Sequence, residues 1–411
     1  MNILFIHQNF PGQFKYLAPA LLSFGYKISV LTSSKVDPHK YPGITIYHYP
    51  VRRSSSRDIH PWIVDFETKV IRGEACLLSA LSLRSRGYYP DLIISHHGWG
   101  ESLFLKDVWP NTRLALYCEF YYNSKGFDVG FDPEFPVNSS SLTCEFRLKN
   151  LNNILHFDQA DAAISPTVWQ ASTFPLPFRN KIAVVHDGIN TSLIAPNCNA
   201  SITLNNSLRL TNEHEVITFV NRNLEPYRGY HSFMRALPAI LRERPNVHIL
   251  IVGGDGLSYG SAPPSGKSWK SVYIDEVRSL ISDSDWRRVH FLGSISYQQF
   301  ITILQISTVH VYLTYPFVLS WSLLEAMSAG CSVVASDTGP LHEIISDQEN
   351  GLLVDFFSPA MISEKVCMLL DNSELRKKVS KNARIFAQKN YDLLNVCLPK
   401  QIEWVKSIFY P

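Results

Sequence analysis

Short apolar runs that end in glycine-containing turns and lead into helical periodicity recur along this chain, and that rhythm limits its fold more than any other feature. Residues 2–6 (NILFI) form the first run, and the turn Phe10-Pro11-Gly12-Gln13 follows. Within 14–24, Leu17, Ala18, Leu21 and Leu22 share one helical face, Gly25 stops the helix, and 27–31 (KISVL) is the next run. Strand, helix and strand joined by such short turns make a βαβ unit, whose strands lie parallel. Further strands are expected at 92–95, after a helix around 70–83, and at 114–117, 162–165 and 182–185. From 188 to 212, Asn, Ser, Thr and Pro dominate, which reads as a linker or connecting excursion. The rhythm then restarts, with strands at 216–220, 247–252, 290–292, 309–313 and 332–336, helices at 231–242 and 320–328, and a mainly helical tail over 373–409. The expectation is α/β: two Rossmann-like, doubly wound domains over 1–190 and 213–388, with a closing helix over 389–411 that crosses back to the first.

A length of 411 residues is enough for two such domains, and 45% hydrophobic with 18% charged residues is an ordinary globular balance. A net charge of +2 gives no argument for nucleic acid or an anionic membrane as partner. The seven cysteines (Cys76, Cys118, Cys144, Cys198, Cys331, Cys367 and Cys397) are odd in number and lack C-x2-C spacing. That argues against a zinc site or a disulfide framework and fits a reducing compartment. The N-terminus lacks the cationic region and long apolar run of a secretory signal. Between Arg288 and Glu325 no side chain is formally charged, yet Gly293, Ser296, Gln298, Gln299, Gln305, His310 and Pro316 interrupt the stretch. It reads as buried strands and helices rather than a membrane span. A cytoplasmic protein is expected, with at most peripheral contact at the inner face of a membrane.

In open parallel sheets, ligands bind beyond the carboxyl ends of strands, near helix N-termini. Three segments sit at such places. In Asn221-Arg222-Asn223-Leu224-Glu225-Pro226-Tyr227-Arg228-Gly229, two arginines on one loop can converge on phosphate oxygens; the alternative is a solvated loop paired with carboxylates. Gly253-Gly254-Asp255-Gly256 follows an apolar strand and permits close backbone approach to a ligand, a pattern shared by many such turns. In the segment 317–330, the amides near Leu319, Ser320 and Trp321 open a helix, and Glu325 stands in an uncharged region where it needs donors. Ribose hydroxyls would serve; so would an arginine of the core.

Together these segments resemble the C-terminal domain of the GT-B-fold, retaining glycosyltransferases of family 4, the glycosyl transferases group 1. Arg222 and Arg228 match the Arg and Lys of that family's diphosphate loop, with one more residue between them and Arg in place of Lys. Leu324-Glu325-Ala326-Met327-Ser328-Ala329-Gly330 matches the string that closes the family's E-x7-E motif. SDTGPLHEII, ENGLLVD and VHDGIN also follow the family pattern. Two positions depart from it. The first glutamate of E-x7-E is Phe317 here, which shifts the sugar contacts to the amides of Leu319, Ser320 and Trp321. Cys118-Glu119-Phe120-Tyr121 stands where family members commonly carry a histidine near the reacting carbon, so Glu119 becomes the substitute, with His7 and His97 as further candidates and His186 lining the passage between domains. The run Arg52-Arg53-Ser54-Ser55-Ser56-Arg57 suits a phosphorylated or membrane-linked acceptor, or simply a solvated loop.

The resemblance implies two domains facing a central cleft and transfer of a sugar from a nucleotide diphosphate sugar, UDP-linked by preference and GDP-linked as the other choice, to an acceptor hydroxyl in glycan or glycoconjugate synthesis. Gly12, Gly254 and Leu292 would meet the donor, its base near Phe291-Leu292-Gly293. Glu325 would hold the ribose, and Arg222 and Arg228 the leaving diphosphate. The family needs no metal or other cofactor and retains anomeric configuration, and no D-x-D string falls in the donor segments. A non-catalytic nucleotide-sugar-binding module and a nucleotide-sugar epimerase of the same fold are the alternatives.

Overall fold

The computed structural model describes residues 1–137, 141–205 and 207–409. They form two compact units, each described on its own terms. Unit 1 takes Met1–Val129, Pro136–Asp187 and Leu394–Pro411; unit 2 takes Gly130–Phe135 and Gly188–Leu393.

Unit 1 is a seven-stranded parallel sheet of β1 (Asn2–Ile6), β2 (Lys27–Thr32), β3 (Ile44–His48), β4 (Leu92–His96), β5 (Arg113–Tyr117), β6 (Ala162–Ser165) and β7 (Ile182–Val184). Its order is β3-β2-β1-β4-β5-β6-β7. Alternation along β1 feeds two cores. Ile3 and Phe5 join Phe14, Leu17 and Leu21 of the first helical segment together with Ile402, Trp404 and Val405 of helix Leu398–Phe409. Leu4 and Ile6 join Cys76, Ala80 and Leu83 of helix Val64–Ser85 on the other face. A parallel sheet covered on both faces explains why its inner strands read as unbroken apolar runs.

Unit 2 holds a hairpin of β8 (Ser201–Leu204) and β9 (Leu208–Thr211), then a six-stranded parallel sheet. Its strands are β10 (Val216–Asn223), β11 (His248–Gly254), β12 (Val289–Gly293), β13 (Val309–Tyr312), β14 (Ser332–Ser336) and β15 (Leu352–Val354), in the order β12-β11-β10-β13-β14-β15. The stretch read as a linker therefore contains paired strands. Ile202, Leu204, Leu208 and Leu210 carry the apolar alternation, and Leu210 is fully buried. The six residues Gly130–Phe135 pack as part of unit 2. Asp132 Oδ2 accepts the Tyr315 hydroxyl at 2.6 Å and lies 3.0 Å from His231 Nε2, while the Arg235 guanidinium binds Glu134 and Glu276. Asp132, Glu134 and His231 bring metal-ligand atom types together, but a guanidinium already neutralises Glu134 and a phenol already satisfies Asp132, so the group is an ion-pair network.

No helix among the described residues is long and apolar enough to cross a membrane. The uncharged stretch between Arg288 and Glu325 is β12, helix Tyr297–Ile306, β13 and the start of helix Trp321–Ala329.

Candidate functional sites at two switch points

In each sheet the winding reverses once, between β1 and β4 in unit 1 and between β10 and β13 in unit 2. Connections leaving two such strands diverge to opposite faces and open a crevice at the carboxyl edge, the usual ligand position in this architecture.

In unit 2 that crevice receives the loop after β10 and the loop after β13. Leu224 N–H donates to the Gly254 carbonyl (2.9 Å), and Tyr315 N–H to the Tyr227 carbonyl (3.1 Å), which ties the loop to both neighbouring strands. Arg222 is exposed. Arg228 is 8% exposed, and its Nη1 donates to Thr314 Oγ1 (2.7 Å) and to the Val318 carbonyl (3.1 Å), which fixes the guanidinium against the second loop. The buried Glu225 accepts the amides of Ser258 (2.9 Å) and Tyr259 (3.1 Å), anchoring the segment after the glycine-rich turn. Burial raises the Glu225 carboxyl above its ordinary value, and those amides and Arg228 oppose the rise.

Glycine is required at one position in this crevice and fits closely at a second. Gly229 has φ +71°, and a Cβ there would stand 2.2 Å from Leu313 Cβ. Gly254 lies where a Cβ would stand 2.8 Å from Asn223 Oδ1. Gly229→Ala is expected to cost roughly 1–3 kcal/mol of stability, combining left-handed backbone with overpacking. Chemical denaturation measures it, and an unchanged midpoint would show that Leu313 yields freely.

Ser320 caps helix Trp321–Ala329, its hydroxyl accepting from Ser322 N–H (3.3 Å). Its own N–H donates to the Tyr312 hydroxyl at 3.0 Å. Of the three amides named from the sequence, this one is therefore engaged inside the protein. Glu325, 7% exposed, takes the Tyr297 phenol on Oε1 at 2.7 Å. Phe317 is buried against Tyr227 (5.1 Å between ring centroids) and Tyr259 (5.0 Å), and the Arg228 guanidinium carbon stands 5.8 Å from its ring. Leu292 is partly buried in β12, and Lys270 Nζ stands 5.2 Å from the neighbouring Phe291 ring.

In unit 1 the crevice receives the turn after β1 and the residues after β4. Gly12 has φ +46°, and a Cβ there would stand 2.2 Å from His7 Nε2, so only glycine lets the turn close over that ring. His7 Nδ1 accepts the Asn9 N–H (3.0 Å), so its proton sits on Nε2, 2.9 Å from Gln13 Oε1. His97 is 2% exposed. Its Nδ1 meets the Tyr117 carbonyl at 3.0 Å and its Nε2 meets Asn153 Oδ1 at 2.7 Å, and burial draws its pKa down to about 4. The fold thus makes His97 a strut between the end of β4 and the end of β5 rather than a group open to a ligand. His186 is buried as well, its pKa pulled down to about 3 by desolvation.

Glu119 follows β5 by two residues, and its side chain is 38% exposed. Its main chain is held by Gln170 Nε2, which donates to the Glu119 carbonyl at 2.8 Å. The basic run at 52–57 is a solvated loop, with Arg53 paired to Glu74 at 3.0 Å and both side chains more than half exposed. Sequence reasoning missed Tyr297, Thr314 and Glu225 here. The uncharged surroundings of Glu325 signalled that a donor was needed, but only tertiary packing identifies Tyr297.

Two family models match the chain: a glycosyl transferase family 4 group model over residues 25–194 and a glycosyl transferases group 1 model over 202–386. D-inositol 3-phosphate glycosyltransferase of Corynebacterium efficiens is 26% identical over 312 residues, which are 73% of this chain and 68% of that protein. An uncharacterized glycosyltransferase of Methanocaldococcus jannaschii is 27% identical over 194 residues, 47% of this chain and 44% of that one. Among solved structures, sucrose-phosphate synthase from Thermosynechococcus elongatus superposes with TM-score 0.73 at 17% identity, covering 100% of this chain and 99% of that one. Anabaena HepE in complex with UDP and glucose gives 0.68 at 16%, covering 99% of each. At these identities the structural likeness speaks to the fold alone.

Proposed function

We propose that this chain, which belongs to the GT-B-fold glycosyltransferases of family 4, moves a sugar from a UDP-sugar to an acceptor hydroxyl with retention of configuration and without a metal. The observation that carries the reading is the unit 2 crevice. There an exposed arginine, a pinned buried arginine and a capped helix start lie on the two loops that flank the switch point, with a buried carboxylate on the helix. As the bond from sugar to diphosphate breaks, negative charge grows on the leaving phosphate. Arg222 and Arg228 stabilise it, and Thr314 and Val318 hold Arg228 in place before the charge appears. Glu325 accepts from ribose hydroxyls while Tyr297 orients its carboxylate. Gly254, Leu292, Leu319 and Trp321 shape the donor surface with the base beside Phe291. Glu119 faces the sugar or acceptor hydroxyl, Gly12 lets the first turn approach it, and His97 braces the strand end from which Glu119 departs. Anabaena HepE, which shares the fold, is known in complexes with UDP and UDP-glucose, so uridine donors are the first to test.

A thermal-shift screen of UDP-, GDP- and ADP-sugars is the direct test. A ligand at about 100 times its Kd adds about 2.7 kcal/mol to stability, so one uridine donor should stand clear of the others. A guanosine or adenosine winner removes the base assignment, and binding without nucleotide release across acceptors favours the non-catalytic module. Glu325→Ala should weaken UDP binding by about 10- to 100-fold, the worth of a charge-assisted hydrogen bond; calorimetry reads it, and an unchanged Kd removes the ribose role.

A further inference from the structure

His96, the last residue of β4, has no role in the reading above, yet it is the most constrained ionisable side chain of the unit 1 crevice. Its side chain is 1% exposed. The ring stacks on the Trp99 indole (4.0 Å between centroids, 16°) and on the Tyr117 ring (5.4 Å, 24°), with His7 edge-on at 5.4 Å. A Cβ on Gly98 would stand 3.0 Å from His96 Cε1, so the turn closes over this ring as the earlier turn closes over His7. Stacking fixes the plane, and among the described residues neither ring nitrogen has a hydrogen-bond partner. A buried, unpaired imidazole nitrogen is costly, and such groups in native structures call for an explanation.

Proximity supplies the explanation. His96 Nε2 lies 3.8 Å from Glu119 Oε2, which is just beyond hydrogen-bond length. The other polar and charged groups facing the ring are few. His7 has its Nε2 proton directed at Gln13, the His97 nitrogens face Tyr117 and Asn153, and the Tyr117 hydroxyl donates to Asp187 Oδ2 at 2.9 Å. Among the described residues, Glu119 is the carboxylate that stands within 4 Å of His96 Nε2. Burial, with His7 and His97 nearby, holds His96 neutral at physiological pH. A neutral imidazole carries one proton and can donate once.

We infer that His96 is the positioning residue for Glu119: its Nε2–H donates to the Glu119 carboxylate and orients the outer lone pairs of that carboxylate toward a hydroxyl of the sugar substrate. This inference rests on the glycosyltransferase reading and adds a second residue to its unit 1 side. In this proposal the contact closes from 3.8 Å as the partly exposed Glu119 side chain turns toward the stacked His96 ring.

The test is a double-mutant cycle on nucleotide release from UDP-glucose, or from whichever nucleotide sugar gives the largest thermal shift, together with 15N NMR of the histidine rings. Glu119→Gln should lower kcat/KM by about 10- to 100-fold, and His96→Phe, which keeps a stacked ring, by about 5- to 20-fold. The double variant should match Glu119→Gln within about twofold, because His96 acts only through that carboxylate. His96→Gln, which can still donate, should recover most of the loss. The wild-type spectrum should show the His96 proton on Nε2, a readout independent of whether any variant folds. Losses that multiply, a His96→Phe enzyme with wild-type activity, or a proton on Nδ1 would overturn the role of His96 and leave the glycosyltransferase reading standing. A wild-type protein that binds no nucleotide sugar would overturn both.

Discussion

Arg222→Ala should lower kcat by roughly 10²- to 10³-fold while leaving unfolding free energy within about 0.5 kcal/mol of wild type. The asymmetry follows from exposure. Arg222 is solvent-exposed at the end of β10, so its removal takes away the charge proposed to meet the leaving diphosphate and little packing. Arg228→Ala should show a similar kinetic loss and in addition a stability loss of about 1–3 kcal/mol, because the buried Thr314 hydroxyl and Val318 carbonyl lose their donor. Steady-state kinetics beside denaturant unfolding separates the two. Wild-type turnover in both variants would remove the diphosphate role, and equal stability in both would mean that Arg228 is held more loosely than its bonds imply. Arg228→Lys should recover less activity than a simple count of charge suggests, since one ammonium cannot bind Thr314 and Val318 while keeping a planar fork toward phosphate.

Glu101 gives the second large effect, on stability. It is fully buried in unit 1; the Tyr49 hydroxyl donates to Oε1 at 3.1 Å, and among the described residues Oε2 has no hydrogen-bond partner. Burial pushes its pKa up to about 7. The folded state thus holds this proton more tightly than the unfolded chain. The stabilisation is fully present below the ordinary carboxylate value and is lost as pH rises toward and through 7. Over that window the loss approaches about 3 kcal/mol. Buried histidines act in the opposite sense at lower pH. His97, His156 and His310, pulled down to about 4, about 3 and about 4, favour the folded state as pH rises through their window. The clean measurement is therefore the difference between wild type and Glu101→Gln, followed by urea unfolding from pH 5 to 8. Glutamine cannot ionise, so the variant should gain on wild type from pH 5 to about 7 and then level off. Parallel curves would show that Glu101 is not the titrating group.

The strands that the sequence revealed are those at the centres of the two sheets. β1, β4, β10 and β11 are buried on both faces, and such strands must be apolar whatever surrounds them. β3 and β15 escaped. β3 is an edge strand with partly exposed Ile46 and Tyr47, and β15 is three residues long, so neither had to be an apolar run. The hairpin β8–β9 was hidden by its polar composition, since only Leu204 and Leu210 of its eight strand residues are buried. At the sites, Arg222, Arg228, Gly254 and Glu325 were legible because each stands just beyond a strand or inside a recognisable string. Tyr297 and Thr314 were not, because their importance lies in reaching another residue across the fold.

By itself the sequence determined the two parallel α/β sheets and the loops that must carry the chemistry, since burial on two faces and glycine turns leave local marks. The tertiary structure decided which side chains on those loops remain open to a ligand. It engaged His97 with Tyr117 and Asn153, spent the Ser320 amide on Tyr312, gave Glu325 a phenol and brought His96 close to Glu119. Hydrogen-bond partnership and ring stacking join residues far apart in the chain, and no local pattern records them.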